Sequence, residues 1–153
     1  MNQNIWGPSL WLILHSITLL YPLDPCQRDK DNMMQFLKGL GHVVLCDICK
    51  THYNRNMKEN PPRLDNRKDF FEWMVDFHNE VNGRTGKRSY TYEEVLDMYN
   101  KKYSNTFQLI PKDGNKNTSA NIMRKIHCYL LQYHLHIIIA ILIAVILYLL
   151  YKD

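Results

Sequence analysis

The sequence predicts an all-α protein carrying an apolar C-terminal tail. Apolar residues recur at intervals of three and four in one segment after another, and few stretches alternate as half-buried strands do. A third observation sets the tail apart: 137–150 reads IIIAILIAVILYLL, without a charge. The 153-residue length suits one small domain plus an appendage.

Each helix has its own signals. Pro8 suits a helix start, because its missing N–H is not needed in the first turn. Leu10, Trp11, Leu14, Ile17, Thr18 and Tyr21 then recur at helical spacing up to Pro22. Residues 23–31 hold Pro25 and aspartates and read as a loop. A second helix is expected over 32–44, with Met33, Phe36, Leu37, Leu40 and Val44 inward; Gly39 and Gly41 weaken it. A third starts near Asp47 and ends before Pro61-Pro62. A fourth covers 66–83, with Asn66 and Asp69 near its cap and Phe70, Trp73, Met74, Phe77 and Val81 on one stripe. A fifth covers 91–103, where Thr91-x-x-Glu94 matches a capping box.

Three regions follow: a helical domain over 1–107, a polar linker over 108–128 with Pro111 and Gly114, and a transmembrane helix over 129–151. The tail approaches the ~20 residues that span a bilayer core, and it is apolar on every helical face. Tyr129, Tyr133, Tyr148 and Tyr151 suit the two interfaces. Arg124, Lys125 and nearby Lys116 precede the span, which keeps the domain on the cytoplasmic side. The start, MNQNIWGPSLW, lacks the basic region of a signal peptide. A single-pass, tail-anchored cytoplasmic protein is expected. Nineteen Lys and Arg against fifteen Asp and Glu give a net charge of +4, scattered rather than striped. Nucleic-acid binding therefore has little support.

Chemistry centres on Cys46-Asp47-Ile48-Cys49, in a chain with four cysteines. Two thiols at this spacing can bind metal, close a structural disulfide or exchange disulfides. Zinc needs four N/S ligands. No second C-x-x-C exists, and adding His52 and His78 fits no common finger spacing. Closing so short a loop removes little chain entropy, and short strained bridges are labile. A redox-active dithiol fits better, because a helix N-terminus stabilises thiolate. The βαβ setting of a thioredoxin-like reductase is absent. Cys26 reads as a spare thiol, with a shuttle or interchain bridge as alternatives; Cys128 reads as palmitoylated or buried. Trp73 reads as core. His42, His127, His134 and His136 read as surface or interfacial.

Three blocks carry a resemblance. Trp6-Gly7-Pro8-x-x-Trp11-x-x-Leu14-His15, then Cys46-x-x-Cys49-x-x-His52-Tyr53, then His78-Asn79-Glu80-Val81-Asn82-x-x-x-Gly86-Lys87 resemble the Erv/ALR family of FAD-linked sulfhydryl oxidases. They cover about residues 5–103, in the family's order. The domain looks especially like the small versions encoded by large cytoplasmic DNA viruses. The tail lies outside the resemblance.

The resemblance implies a four-helix bundle with a short fifth helix, holding FAD. It implies that two electrons pass from protein thiols through Cys46 and Cys49 to FAD and then to O₂, giving H₂O₂. By the same likeness Cys49 lies against the flavin and Cys46 faces outward to exchange with clients. The implied cofactor residues are Trp6, Gly7, Trp11, His15, His52, Tyr53, His78, Asn79, Val81, Asn82, Lys87 and Tyr99. No metal is implied. The implied partners are protein thiols, through a small thioredoxin- or glutaredoxin-like carrier, and a second copy of the chain as homodimer. A host-cell or virion membrane would hold the tail. Pro8 stands where some relatives carry a basic residue, so one diphosphate contact is missing. Two rivals remain open: a membrane-tethered interaction module with a structural or zinc-binding C-x-x-C, and a non-flavin disulfide carrier.

Overall fold

A computed structural model describes residues 3–110 and 119–152. Among the described residues the chain is all-helical. The order is α1 (Gln3–Leu20), α2 (Gln27–Val43), α3 (Asp47–Glu59), α4 (Arg67–Arg84), α5 (Tyr92–Tyr103) and α6 (Ser119–Lys152).

α4 is the central helix, and its sequence shows why. Phe70, Trp73, Met74 and Phe77 face one core with Leu14, Tyr21, Leu37, Tyr53 and Leu64. Phe71 and Val75, on its other side, face a second core with Leu19, Val95 and Tyr99. A helix apolar on two sides must be covered on both, so α1–α3 and α5 pack around it. Trp73 is core, as its stripe implied, and its indole N–H donates to the Asn60 carbonyl at 2.9 Å.

Several ends differ from expectation. α1 begins at Gln3, so Pro8 lies inside the helix rather than at its start. Its missing N–H forfeits one backbone bond near the N-terminus, which the packed α1 tolerates. The loop expected over 23–31 is shorter, because α2 starts at Gln27. Asp29 makes that possible: its carboxylate accepts from the Cys26 N–H at 2.9 Å, as in a capping box. Phe36 was expected inward but is exposed, whereas Leu37 is buried. α3, α4 and α5 lie where their caps place them. Asn66 Oδ1 accepts from the Asp69 N–H at 2.9 Å, and Thr91 and Glu94 bond reciprocally.

The C-terminal region differs most. Helix α6 starts at Ser119, so the last ten positions of the expected linker are helical; Pro111, Gly114 and Lys116 lie outside the described residues. Among the described residues no single helix is long and apolar enough to cross a membrane. Two stretches, Lys125–Leu131 and His136–Tyr151, reach that length and composition together but are bent by 60°. The single straight span expected over 129–151 is therefore not what is seen. Nor are the outlying cysteines spare. Cys26 and Cys128 form a disulfide across 102 residues. A sulfur so bonded carries no palmitoyl group. The bond fastens α6 to the start of α2, beside an ion pair of Lys125 Nζ and Asp24 at 2.5 Å.

Candidate functional site: a thiol pair beside a buried histidine pair

Cys46 is the N-cap of α3 and Cys49 lies in its first turn. The i to i+3 spacing follows from the cap itself: the Cys49 N–H donates to Cys46 Sγ at 3.4 Å. Both thiols are free and half-buried. Hydrogen bonds from the Cys49 thiol and backbone hold the Cys46 pKa below the ordinary thiol value. Burial, and that same bond donated to Cys46, push Cys49 up to about 11. The helix N-terminus was expected to activate the pair as a whole. Instead it acts on the cap position, and the first-turn cysteine keeps the proton. Of the two thiols Cys46 is therefore the more readily ionised.

A second sulfur partner was missed. Gln3 Nε2 donates to Cys46 Sγ at 3.2 Å and to Cys49 Sγ at 3.0 Å. A helix read as starting at Pro8 leaves Gln3 in a disordered lead-in. Extending the period one turn back from Trp6 would have placed it on the same helix.

The histidines meet deeper in the bundle. His15, one turn after Trp11 on α1, is 2 % exposed. Its Nε2 lies 3.0 Å from His78 Nδ1 on α4, so one ring donates and the other accepts. The Trp11 ring stacks on His78 at 3.8 Å, and Tyr99 from α5 approaches His15 at 5.3 Å. Burial, then the neighbouring His78, lowers the His15 pKa to about 3. Burial, then the Lys87 charge, lowers His78 to about 4. Both rings are neutral at physiological pH. Lys87 follows Gly86, whose φ of 68° a side chain would disfavour, and its N–H donates to the Asn82 carbonyl at 2.9 Å.

The other predicted residues divide. Tyr53 is buried against Phe77, and its hydroxyl donates to the Leu37 carbonyl at 2.8 Å. The Tyr99 hydroxyl donates to the Trp11 carbonyl at 3.2 Å. Trp6, Gly7, His52 and Val81 are half-buried and Asn82 is buried. Asn79 bonds Tyr90: its amide donates to the Tyr90 carbonyl at 2.8 Å and accepts from the Tyr90 N–H at 2.9 Å. These two bonds pin the segment between α4 and α5 and use one of the two amide hydrogens and one of the two oxygen lone pairs. Two buried polar atoms lack a protein partner here, Trp6 Nε1 and His15 Nδ1. A surface cavity of about 450 Å³ borders Asp76, Asn79, Glu80, Gly83, Arg84 and Ser89, and includes neither the thiols nor the histidine pair. Cys26, Asp29 and Cys128 cluster tightly enough for a metal, but the two sulfurs are bonded to each other.

The sequence model of the Erv1/Alr family matches residues 8–103. The chain belongs to the Erv1/Alr family. Several members resemble it at length. It is 35% identical over 81 residues to the mitochondrial FAD-linked sulfhydryl oxidase ERV1 of Saccharomyces cerevisiae, covering 53% of this chain and 43% of that protein. A probable FAD-linked sulfhydryl oxidase of Acanthamoeba polyphaga mimivirus is 31% identical over 104 residues, 66% of this chain and 73% of that protein. A FAD-linked sulfhydryl oxidase of African swine fever virus is 29% identical over 103 residues, 67% of this chain and 87% of that protein. The chain thus spans less than half of the yeast protein but most of the viral ones. The crystal structure of the FAD binding domain of Erv1 from Saccharomyces cerevisiae superposes with a TM-score of 0.61 at 29% identity, over 67% of this chain and 94% of that one. The matched Erv1/Alr segment contains the thiol pair and the histidine pair, whereas α6 lies beyond it.

Proposed function

We propose that this protein is a FAD-dependent thiol oxidase that forms disulfides in protein thiols and delivers the electrons to O₂, giving H₂O₂. The observation that carries it is the free Cys46–Cys49 pair at the head of α3, inside the segment matched to the Erv1/Alr family. The residues present suit FAD. Trp6 Nε1 and His15 Nδ1 are buried and unpartnered, beside the stacked Trp11 and His78 rings. Trp6, Gly7, Trp11, His15, His52, Tyr53, His78, Val81, Asn82, Lys87 and Tyr99 would hold it. Asn79, which also fixes Tyr90, belongs to the same set. Bound flavin supplies a two-electron acceptor that O₂ can reoxidise.

The chain's own work is thiol exchange and positioning. A client thiolate attacks Cys46 in the oxidised pair, and Cys49 leaves as thiolate. The client's second thiolate then attacks its own mixed disulfide and releases Cys46. The client gains a disulfide and the enzyme's pair is reduced. The stabilised Cys46 thiolate favours the second step, in which Cys46 is the leaving group. The neutral histidine pair keeps positive charge out of the buried site.

Full-length protein should be yellow, show flavin absorbance and consume O₂ with dithiothreitol. A colourless, folded protein overturns the reading, and bound zinc would favour the interaction-module alternative. Cys49→Ser should abolish turnover with flavin still bound.

The tail supports a membrane anchor. Large apolar side chains from Ile137 to Tyr151, including Ile141, Leu142, Val145 and Leu149, are exposed. Water is a poor solvent for such a surface, and a bilayer would cover it. The flanking Arg124 and Lys125 favour a cytoplasmic catalytic domain. The full chain should float with lipid vesicles, and a chain ending at residue 128 should not. A small thioredoxin- or glutaredoxin-like carrier would bring the client electrons. A homodimer is supported by exposed Ile13, Phe36 and Val43, and sedimentation tests it.

A further inference from the structure

We infer that Gln3 is a catalytic residue of the exchange reaction, its amide stabilising in turn the two thiolates that leave during client oxidation. The inference rests on reading Cys46–Cys49 as the exchanging pair. One Gln3 Nε2 lies 3.2 Å from Cys46 Sγ and 3.0 Å from Cys49 Sγ. An amide nitrogen carries two N–H donors, so one group serves both sulfurs without choosing between them. Few side chains can do this. A lysine has the donors but adds a full charge, a serine has one donor, and a backbone N–H points at one acceptor only.

The exchange sequence gives the contact its purpose. When client thiolate attacks Cys46, the Cys46–Cys49 bond breaks and its electron pair goes to Cys49 Sγ. When the second client thiolate closes the client disulfide, the pair goes to Cys46 Sγ. Negative charge therefore develops first on one sulfur and then on the other, and Gln3 borders both. Hydrogen bonds to an ionised acceptor are stronger than those to a neutral one, so the amide favours each departing thiolate over the bonded sulfur. A lower leaving-group basicity speeds exchange.

The charged side chains of α3 do not supply the same effect. Asp47 and Lys50 on α3 flank the pair with opposite signs and bond to each other at 3.4 Å, so they largely offset. His52 follows one turn on. The cap N–H of Cys49 donates to Cys46 Sγ. Among the described residues Gln3 is the group from outside α3 that hydrogen-bonds to Cys49 Sγ. Its placement depends on α1 starting where it does, with Gln3 in the first turn and Trp6 one turn on.

The test uses the full-length protein and three substitutions. Gln3→Leu keeps the bulk and removes the donors. Gln3→Glu keeps the shape and puts an anion beside the sulfurs. Gln3→Lys keeps donors. Two readouts are independent of oxygen turnover: iodoacetamide alkylation of Cys46 in the reduced protein as a function of pH, and exchange with a small dithiol by stopped flow. Gln3→Leu should slow exchange at neutral pH by roughly three- to ten-fold, the effect of one modest hydrogen bond. It should also move the alkylation profile to higher pH. Gln3→Glu should be slower still, and Gln3→Lys should recover most of the rate. Flavin content and melting temperature should stay at the parent values in all three. An unchanged profile in Gln3→Leu, or equal losses in Gln3→Leu and Gln3→Lys, overturns the inference; the second outcome would mean that Gln3 only packs. A protein without flavin would sink the oxidase reading yet leave these thiol measurements intact, so the two failures are distinguishable.

Discussion

At the scale of single residues, the histidine pair makes a claim that pH can check. A histidine in the unfolded chain titrates near 6.5, whereas His15 lies at about 3 and His78 at about 4 in the folded protein. As pH falls below 6.5 the unfolded state takes up protons first, so stability present above that pH is lost progressively toward 4. His15 alone should cost about 2 kcal/mol between pH 6.5 and 5, at about 1.4 kcal/mol per pH unit and proton. His78 is only half-buried, so screening trims its share. Urea unfolding at both pH values measures the slope, and His15→Gln should flatten it. A slope unchanged in that variant would show that other groups carry the acid sensitivity. These histidines, with Trp11 and the thiols, were legible as motif residues because they stand in short blocks. A division of labour between Cys46 and Cys49 was implied by the family resemblance, but the difference in their acidity was not legible, because it depends on which sulfur accepts the cap N–H. Nor was the commitment of Asn79 to Tyr90, since an amide looks the same in sequence whichever partner it takes.

At the scale of elements, caps decided where reading succeeded. Asn66 and Thr91 announce α4 and α5 through side chains that bond three residues on, a purely local signal. α1 and α2 begin earlier than their apolar periods suggest, because polar residues such as Gln3 and Asp29 continue a helix without adding to its stripe. The cap of α5 can be removed separately from the site. Thr91→Ala deletes the acceptor of the Glu94 N–H, 3.2 Å away, and should cost about 1 kcal/mol. In a chain of this size that lowers the melting temperature by about 3 °C. Tyr99 lies two turns further on and anchors α5 to the Trp11 carbonyl, so flavin content should hold while stability falls. Loss of flavin in Thr91→Ala would mean that the first turn of α5 belongs to the pocket.

At the scale of the molecule, the link between bundle and tail is covalent. Disulfide connectivity cannot be deduced from sequence, so the pairing of Cys26 with Cys128 was invisible until the fold brought them together. The same junction carries the surface ion pair of Lys125 with Asp24, a type worth about 0–1 kcal/mol. The disulfide spans 102 residues of sequence and ties α6 directly to the start of α2, so α6 cannot part from α2 while the bond is intact. The docking of α6 is thus secured covalently as well as by contact with α2. Cys26→Ser isolates the covalent part, because serine suits the N-cap of α2 and only the crosslink is lost. In this variant amide exchange across 122–131 should accelerate by about tenfold or more, as α6 parts from α2. Amides of α4 from Phe70 to Phe77, buried in both cores, should keep their protection, and thiol oxidation through Cys46 and Cys49 should continue. Equal protection of α6 with and without the bond would show that side-chain packing alone seats the tail. Loss of protection in α4 would show that the crosslink supports the whole bundle.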